Sequence, residues 1–150
     1  MQHRTIEVGR AVWGGVLLAA PTATLSTIHG LQVDTKSTVI ARVLGARQVT
    51  QAGLSGISPS PEVLAMGVWV DVAHAATAFG LALADRSRAR AGITDGVVAL
   101  AWAGIGYRDL ARGGRATPPA HDRRRDQMAR VVLGLVPGGG PLLRMSQRAR

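Results

Sequence analysis

Hydrophobic positions along the chain fall into four long stretches that short polar or basic segments separate. The stretches cover residues 11–28, 35–57, 63–84 and 91–107. About 20 predominantly apolar residues are enough to cross a bilayer as a helix, so each stretch is close to the length of a spanning segment. We therefore predict an all-α protein, with a four-helix transmembrane bundle over residues 1–107 and a basic, partly helical C-terminal tail over residues 108–150.

The first two stretches depart from a simple spanning pattern. Pro21 lies inside residues 11–28 and predicts a kink, which a transmembrane helix tolerates. A cleaved signal peptide is the alternative, but the apolar region is long for one and further hydrophobic stretches follow. Residues 35–57 contain Arg42 and Arg47, and an arginine at mid-membrane costs about 2.5–3.5 kcal/mol. This stretch could instead lie on the surface or re-enter the membrane, and lying on the surface would leave three spans.

The third stretch is preceded by a clear helix start. Ser60 suits an N-cap, Pro61 suits the first helical position, and Glu62 suits the positive end of the helix dipole. The start follows the Ser-Pro-rich segment that ends the second stretch. The pattern predicts that the second and third helices form an antiparallel hairpin.

Charged residues inside the stretches match in depth. If the hairpin turns near Pro59, Arg47 and Asp71 each lie about 12 residues from the turn, which is about 18 Å along a helix. Arg42 and Asp95 share a level nearer the opposite face of the membrane. Charges within a membrane generally face the bundle interior and pair with one another. We therefore predict the intramembrane ion pairs Arg47–Asp71 and Arg42–Asp95.

These residues belong to a predicted intramembrane polar cluster, which is made up of Arg42, Arg47, Gln51, Asp71, His74 and Asp95. Asp71 and His74 are three residues apart and share a helix face. A structural ion pair with a hydrogen-bonded histidine is one interpretation, and proton or small-molecule handling by Asp71 and His74 is the other. A metal site would need a further ligand, and His29 lies at the far end of the first stretch.

The sequence carries no signature of an enzyme. It contains no recognisable Ser–His–Asp arrangement, no paired catalytic carboxylates and no nucleotide motif. The absence of cysteine excludes disulfides, thiolate chemistry and cysteine-ligated metals. We predict no catalytic residue, no cofactor and no metal.

Composition supports a membrane setting. The 19 glycines and the low aromatic content suit close helix packing in lipid better than a water-soluble core. Gly92 and Gly96, four residues apart, permit the close approach of another helix. The formal net charge is +9, and Lys36 is the only lysine. So strong a bias toward arginine is typical of codon usage in a high-GC genome.

Arginines concentrate after Arg108. We predict a multi-pass protein of the bacterial cell membrane, and by the positive-inside rule we expect the tail to lie in the cytoplasm. The basic residues near the N-terminus agree with this topology, since four spans place both termini on one side. Arg86, Arg88 and Arg90 oppose it, because their loop would face outward, but the ten arginines of the tail outweigh these three.

Residues 121–136 predict an amphipathic helix within the tail. Its apolar face is formed by Met128, Val131, Val132, Leu135 and Val136, and its basic character comes from Arg123, Arg124, Arg125 and Arg130. Such a helix is typical of binding to anionic lipid headgroups. Nucleic-acid binding is disfavoured, because the tail has no interleaved aromatic platform and no known motif. Residues 137–141 predict a helix break with a disordered end after it.

A short pattern suggests a family. The Arg-x-x-Gly-x-Arg element over residues 42–47, with Asp71, His74 and the segment around Asp95, resembles small four-helix membrane proteins of unknown function from high-GC Gram-positive bacteria, DoxX-like in outline. The resemblance covers residues 8–107 and implies an internal set of paired polar residues but no established activity. We expect a non-enzymatic accessory or scaffold protein that binds partner helices and anionic lipid. The alternative is a transport- or redox-associated protein that uses Asp71 and His74.

Overall fold

Every regular element of the described chain is helical. The structure is a computed structural model that describes residues 5–27, 33–56, 58–113 and 123–150. Its helices are α1 (Thr5–Ala19), α2 (Pro21–Thr27), α3 (Thr35–Ser55), α4 (Pro61–Ala84), α5 (Ala89–Ala111), α6 (Arg123–Leu135) and α7 (Gly139–Arg148), with a 3₁₀ turn at Arg86–Arg88. No strand occurs within these ranges, so the predicted all-α class is confirmed.

The prediction of four membrane-spanning helices is not supported. Among the described helices, only α4 is by itself long and apolar enough to cross a membrane. The helices α1 and α2 meet the same test if they are joined, but they are bent by 100° at the break between them. In α3 and α5, charged residues and small or polar side chains lower the hydropathy below what a helix that spans by itself requires.

The first predicted helix is two helices. The prediction placed a single kinked helix over residues 11–28, whereas α1 ends at Ala19 and α2 begins at Pro21. Pro21 has no N–H to donate to the preceding turn, so the hydrogen-bond ladder is interrupted there. The Ala20 carbonyl oxygen then accepts from Thr24, at 3.1 Å from the backbone nitrogen and 2.9 Å from Oγ1. Residue 28 lies outside the described residues.

Contacts divide the chain into two compact units, residues 2–57 and residues 58–150. In the first unit, α1 and α3 approach at two glycines. A Cβ atom added to Gly14 would lie 2.8 Å from the carbonyl oxygen of Gly45, and one added to Gly45 would lie 2.7 Å from that of Gly14. Only residues without side chains allow this separation.

The second unit is built on an antiparallel pair, α4 and α5. The predicted helix start is confirmed, because Ser60 caps α4 by accepting a hydrogen bond from the Val63 nitrogen and Pro61 opens the helix. The predicted close approach at Gly92 and Gly96 is also confirmed. A Cβ on Gly92 would lie 2.7 Å from the Ala78 carbonyl oxygen, and one on Gly96 would lie 2.7 Å from the Phe79 ring.

Helices α6 and α7, which belong to the predicted tail, pack against α4. A buried cluster of Leu64, Ala65, Leu110, Leu133 and Ala149 joins them to the α4–α5 pair. The sequence prediction placed a boundary between residues 107 and 108, whereas α5 runs on to Ala111 and these contacts group residues 58–150 as one unit.

The predicted disordered end is wrong, because residues 139–148 form α7. Gly138 turns the chain with a φ of +76°, a conformation that glycine adopts at little cost. The indole Nε1 of Trp69 donates a hydrogen bond to the Pro137 carbonyl oxygen at 2.9 Å, which holds the turn against α4. A helix this short is marginal alone and is stabilised by its packing.

The amphipathic helix predicted over residues 121–136 is α6, which is described from Arg123 onward. Residues 121 and 122 lie outside the described residues. Three members of its predicted apolar face point outward: Met128, Val131 and Leu135 are exposed, and Leu135 is 81% exposed. The face that packs inward carries Asp126, Ala129 and Leu133.

Candidate functional site

Helices α4 and α5 bring two residues of the predicted polar cluster together. Asp95 Oδ2 lies 2.7 Å from His74 Nε2, within hydrogen-bond distance, and both side chains are largely shielded from solvent. Asp71 lies one turn before His74 on α4 and is buried. The two residues are three apart on one helix, so the sequence spacing places them on a common side. The result is a shielded pair of an imidazole and a carboxyl group, with a second, buried carboxyl group one helical turn away on α4.

The remaining members of the predicted cluster lie in the other unit. Arg42 is exposed on α3, whereas Arg47 and Gln51 are half-buried. The predicted ion pairs Arg47–Asp71 and Arg42–Asp95 each join residues of different units, and they stay predictions. The partner of Asp95 within its own unit is His74, which the depth argument did not identify.

A second charged cluster lies where α4, α6 and α7 meet. Glu62 is 1% exposed at the start of α4, and its Oε1 atom lies 2.7 Å from Arg150 Nη2 and 3.3 Å from Arg130 Nη1. Arg150 Nη2 also lies 3.2 Å from Oδ2 of the buried Asp126. We call Glu62, Asp126, Arg130 and Arg150 the charged clasp. It places two buried carboxylates around one guanidinium, with a second guanidinium on Glu62.

Electrostatics within the clasp favour the charged form of Arg150. The hydrogen bond to Glu62, and the negative charges of Glu62 and Asp126, raise the pKa of the Arg150 guanidinium above its usual range. Hydrogen bonding to a charged partner is stronger than hydrogen bonding between neutral groups. The clasp therefore ties the last residue of the chain to the first turn of α4.

Sequence reasoning missed the clasp. It treated Glu62 only as a favourable charge at the helix start and Arg130 only as a lipid contact. The available signal was the position of two acids, Glu62 and Asp126, in otherwise apolar or basic surroundings. Such acids need a cationic partner if they are buried, but the identity of that partner depends on how the helices pack.

The first unit also contains a buried charge pair that the sequence did not reveal. Glu7 Oε2 and Arg10 Nε lie 3.3 Å apart on α1, and both side chains are almost completely buried. Their spacing of three residues is the available signal. In the sequence, Arg10 was one of the basic residues near the N-terminus that agree with the predicted topology, and no pairing with Glu7 was predicted.

Arginines predicted to contact lipid have different environments. Arg123, Arg124 and Arg125 are exposed at the start of α6. Arg130 is bound to Glu62, although its side chain is still 43% exposed. The arginines at the start of α6 could therefore contact a charged surface while the ion pairs of the charged clasp remain formed.

The loop between α4 and α5 holds a separate acid. Asp85 accepts hydrogen bonds from the Ser87 hydroxyl and backbone nitrogen, and it pairs with Arg88. The hydrogen bond from the Ser87 hydroxyl is the main cause that holds the pKa of the Asp85 carboxyl below its usual range. The Ser87 backbone nitrogen and the Arg88 guanidinium lower this pKa further. Asp85 lies in the loop and is separated in sequence from Asp71 and Asp95. A substitution at Asp85 therefore serves as a control for a substitution at Asp95.

Large hydrophobic side chains are exposed more often than they are buried in the part of the chain that the structure describes. Among the residues that the structure describes, seven large hydrophobic side chains are buried and 21 are exposed, while ten of the 17 buried apolar residues are alanines. Every helix longer than ten residues contributes exposed large hydrophobic side chains. A few charged residues are nevertheless buried, among them Glu7, Arg10 and Asp71.

The described ranges contain no group of three or more histidine, aspartate or glutamate residues that could hold a metal ion. His3, His29 and His121 lie outside those ranges. Comparisons with family models, with curated proteins and with solved structures found no match for this chain. The geometry of its own residues therefore carries the functional argument.

Proposed function

We propose that this chain is a non-enzymatic accessory or scaffold protein of a bacterial cell membrane, where it binds partner helices and anionic lipid. The observation that carries the proposal is the outward placement of large hydrophobic side chains. In water such side chains are buried, and extensive exposed apolar surface marks an interaction with another protein or a membrane. Helices in lipid instead pack through small residues and direct large apolar side chains outward.

Helix α4 is the core of the proposed membrane segment. Its packing partner α5 is 23 residues long and runs antiparallel beside it, so α5 crosses with α4 in this proposal. The polar residue Asp95 would then enter the bilayer already bound to His74, which is how ionisable residues are accommodated in lipid. The four-span bundle would further require α3 and the bent α1–α2 pair to enter the bilayer.

Topology follows from the ends of this helix pair. The start of α4 and the end of α5 lie on one side, and the basic helices α6 and α7 lie on the same side. The positive-inside rule makes that side cytoplasmic. The resemblance to DoxX-like proteins implies a similar bundle, and it belongs to the same proposal.

Partner helices would pack on the outward face of α5. Ile93, Val97 and Leu100 are 46–56% exposed there, at the spacing of one helical face. A Cβ atom added to Gly104, one turn further along, would meet no other atom within 4 Å. A second helix could therefore approach closely at this point.

Carbonate extraction of membranes tests the proposal. We expect the protein to remain in the membrane fraction, and a C-terminal tag to be cut by protease only after the cells are opened. Release into the supernatant would contradict the membrane assignment. Cutting of the tag in intact cells would contradict the cytoplasmic tail and leave the membrane assignment standing.

A matched pair of variants sharpens this test. Val72→Arg places a charge on the exposed face of α4, where we expect insertion to lose about 2.5–3.5 kcal/mol and the retained fraction to fall. Gln147→Arg adds the same charge to an exposed position of α7 and should leave retention unchanged. Equal retention of both variants would indicate that α4 does not face lipid.

A second candidate function is proton handling by the α4–α5 pair. The observation that favours it is the shielded His74–Asp95 hydrogen bond with Asp71 one turn away. A histidine that is hydrogen-bonded to a carboxyl group and shielded from solvent can accept a proton and release it again.

Proton flux into vesicles that contain the purified protein tests this candidate. Asp95→Asn should reduce the flux by about two orders of magnitude if the pair carries the proton, whereas Asp85→Asn in the loop should leave it unchanged. Far-UV circular dichroism of both variants checks that the helices remain. A flux no greater than that of protein-free vesicles would contradict the candidate.

A further inference from the structure

Helix α6 has two faces with different roles. Its inward face places Ala129 and Leu133, both fully buried, against the cluster on α4 and α5. Its outward face carries Met128, Val131 and Leu135, at 41%, 55% and 81% exposure. The larger apolar residues are therefore on the face that the rest of the described chain leaves uncovered, which is costly in water.

Charge on α6 is divided in the same way. Its one acid, Asp126, is turned inward and bound by Arg150. The charged side chains on its exposed surface are all arginines: Arg123, Arg124, Arg125 and Arg130. The outward surface therefore combines an apolar strip with positive charge alone, which is the combination that binds the interface of an anionic bilayer.

Arg124 lies on the same face as the apolar strip. It precedes Met128 by four residues and Val131 by seven, so the three side chains line one side of the helix. An arginine in this position can lay its aliphatic stem along the apolar strip and extend its guanidinium to the headgroup phosphates. Helix α6, with 13 residues, is about 20 Å long, enough to lie flat over several lipids.

The packing of α6 places it beside one end of the proposed membrane pair. Its buried residue Leu133 contacts the same cluster as Leu64 at the start of α4 and Leu110 near the end of α5. If α4 and α5 cross the bilayer, both of these helix ends lie near one membrane surface. Helix α6 is then held at the depth of the headgroups.

We propose that α6 is an interfacial anchor that inserts Met128, Val131 and Leu135 among the acyl chains of an anionic bilayer, with Arg123 and Arg124 on the lipid phosphates. This deepens the proposed membrane function, on which it rests, by naming the lipid-binding element and its orientation. A second copy of the chain is a poorer occupant, because docking two such faces would bring arginines of like charge together.

Single spin labels test the proposal in the complete chain. The sequence contains no cysteine, so one introduced cysteine gives one label site. Labels are attached at Val131→Cys and Leu135→Cys, and the protein is placed in vesicles of phosphatidylcholine and phosphatidylglycerol. The accessibility of each label is then measured to oxygen, a lipid-soluble relaxant, and to a nickel chelate, a water-soluble one. Gly134→Cys is the control, since it has open space around it and points about 100° away from Leu135 and about 60° away from Val131, on the side of Arg130.

We expect labels at 131 and 135 to be accessible to oxygen and protected from nickel, and the label at 134 to be accessible to nickel. Replacing Arg123 and Arg124 by glutamine should lower the equilibrium constant for insertion about 30-fold, since each arginine near an anionic surface contributes about a factor of five. Nickel accessibility at 135 should rise accordingly.

Two results would overturn the proposal. Nickel accessibility at 131 and 135 equal to that at 134 would place the face in water. Protection from both relaxants would place it against protein, as in a dimer. Carbonate extraction separates this failure from failure of the membrane function. If the protein is retained in the membrane and the labels are accessible to nickel, only the anchor proposal is wrong. If the protein is released, the proposed membrane function is wrong, even if the labels enter added vesicles.

Discussion

Gly139→Ala is expected to lower the free energy of unfolding by about 2–4 kcal/mol. A Cβ atom on Gly139 would clash with the carbonyl oxygen of Leu133, at a separation that non-bonded Cβ atoms essentially never show. The obstructing atom belongs to the backbone of α6, so it cannot move aside as a flexible side chain would. The α6–α7 turn would have to shift, and α7 would lose its position against α4.

Gly140→Ala is the matched control. Its added Cβ would meet only Arg144 Nη1, at the ordinary contact distance of 3.6 Å. Replacing glycine by alanine in a compatible helical position stabilises by about 0.4–1 kcal/mol, so the two neighbouring substitutions should act in opposite directions. Denaturant unfolding of the purified protein, followed by circular dichroism, measures both. Equal effects would indicate that the turn is not packed as described.

Arg150→Ala should cost about 2–3 kcal/mol of stability. Glu62 and Asp126, whose side chains are 2% and 5% exposed, would both lose their shared cation. Breaking a fully buried pair costs about 3–5 kcal/mol, and the lower figure applies because Arg150 is 37% exposed and water can replace part of its charge. Arg130 would still hold Glu62.

A double-mutant cycle isolates this effect. In a Glu62→Gln background one carboxylate of the clasp is neutral, so Arg150→Ala should cost at least about 1 kcal/mol less than in the parent chain. Arg148→Ala removes an exposed arginine two residues earlier and should change stability by less than about 0.5 kcal/mol. Additive losses from Glu62→Gln and Arg150→Ala would show that the two side chains are not coupled.

Local signals were sufficient for the helix positions. The hydrophobic stretches predicted α3, α4 and α5 to within a few residues, and the Ser60–Pro61 start of α4 was predicted at the right residues. These features depend on neighbours in sequence, since a cap joins residues three apart and an apolar stretch is continuous. The break at Pro21 was predicted as a kink because a missing N–H interrupts a helix but does not determine the angle that follows.

The partner of each buried polar side chain could be identified only from the packing of the helices. Matching depths in the membrane paired Asp95 with Arg42. Depth does not specify the α4–α5 register, which places His74 Nε2 within 2.7 Å of the same carboxylate. Nothing in the sequence pattern indicated the hydrogen bond between Glu62 and Arg150, which lie 88 residues apart. Matching positions along a helix constrains the level of a side chain but not its direction around the helix, so several partners satisfy the same pattern.

The amino-acid sequence by itself determined the helical class, most helix positions, the basic end of the chain and the two-faced character of α6. Each of these follows from composition, periodicity or capping, which act over one or two helical turns. Tertiary structure alone decided that α7 forms, that α6 buries the face of Asp126 and leaves Leu135 outside, and that the charged clasp exists. The physical reason is that a short helix and a buried charge are stable only beside the particular surface that packs against them.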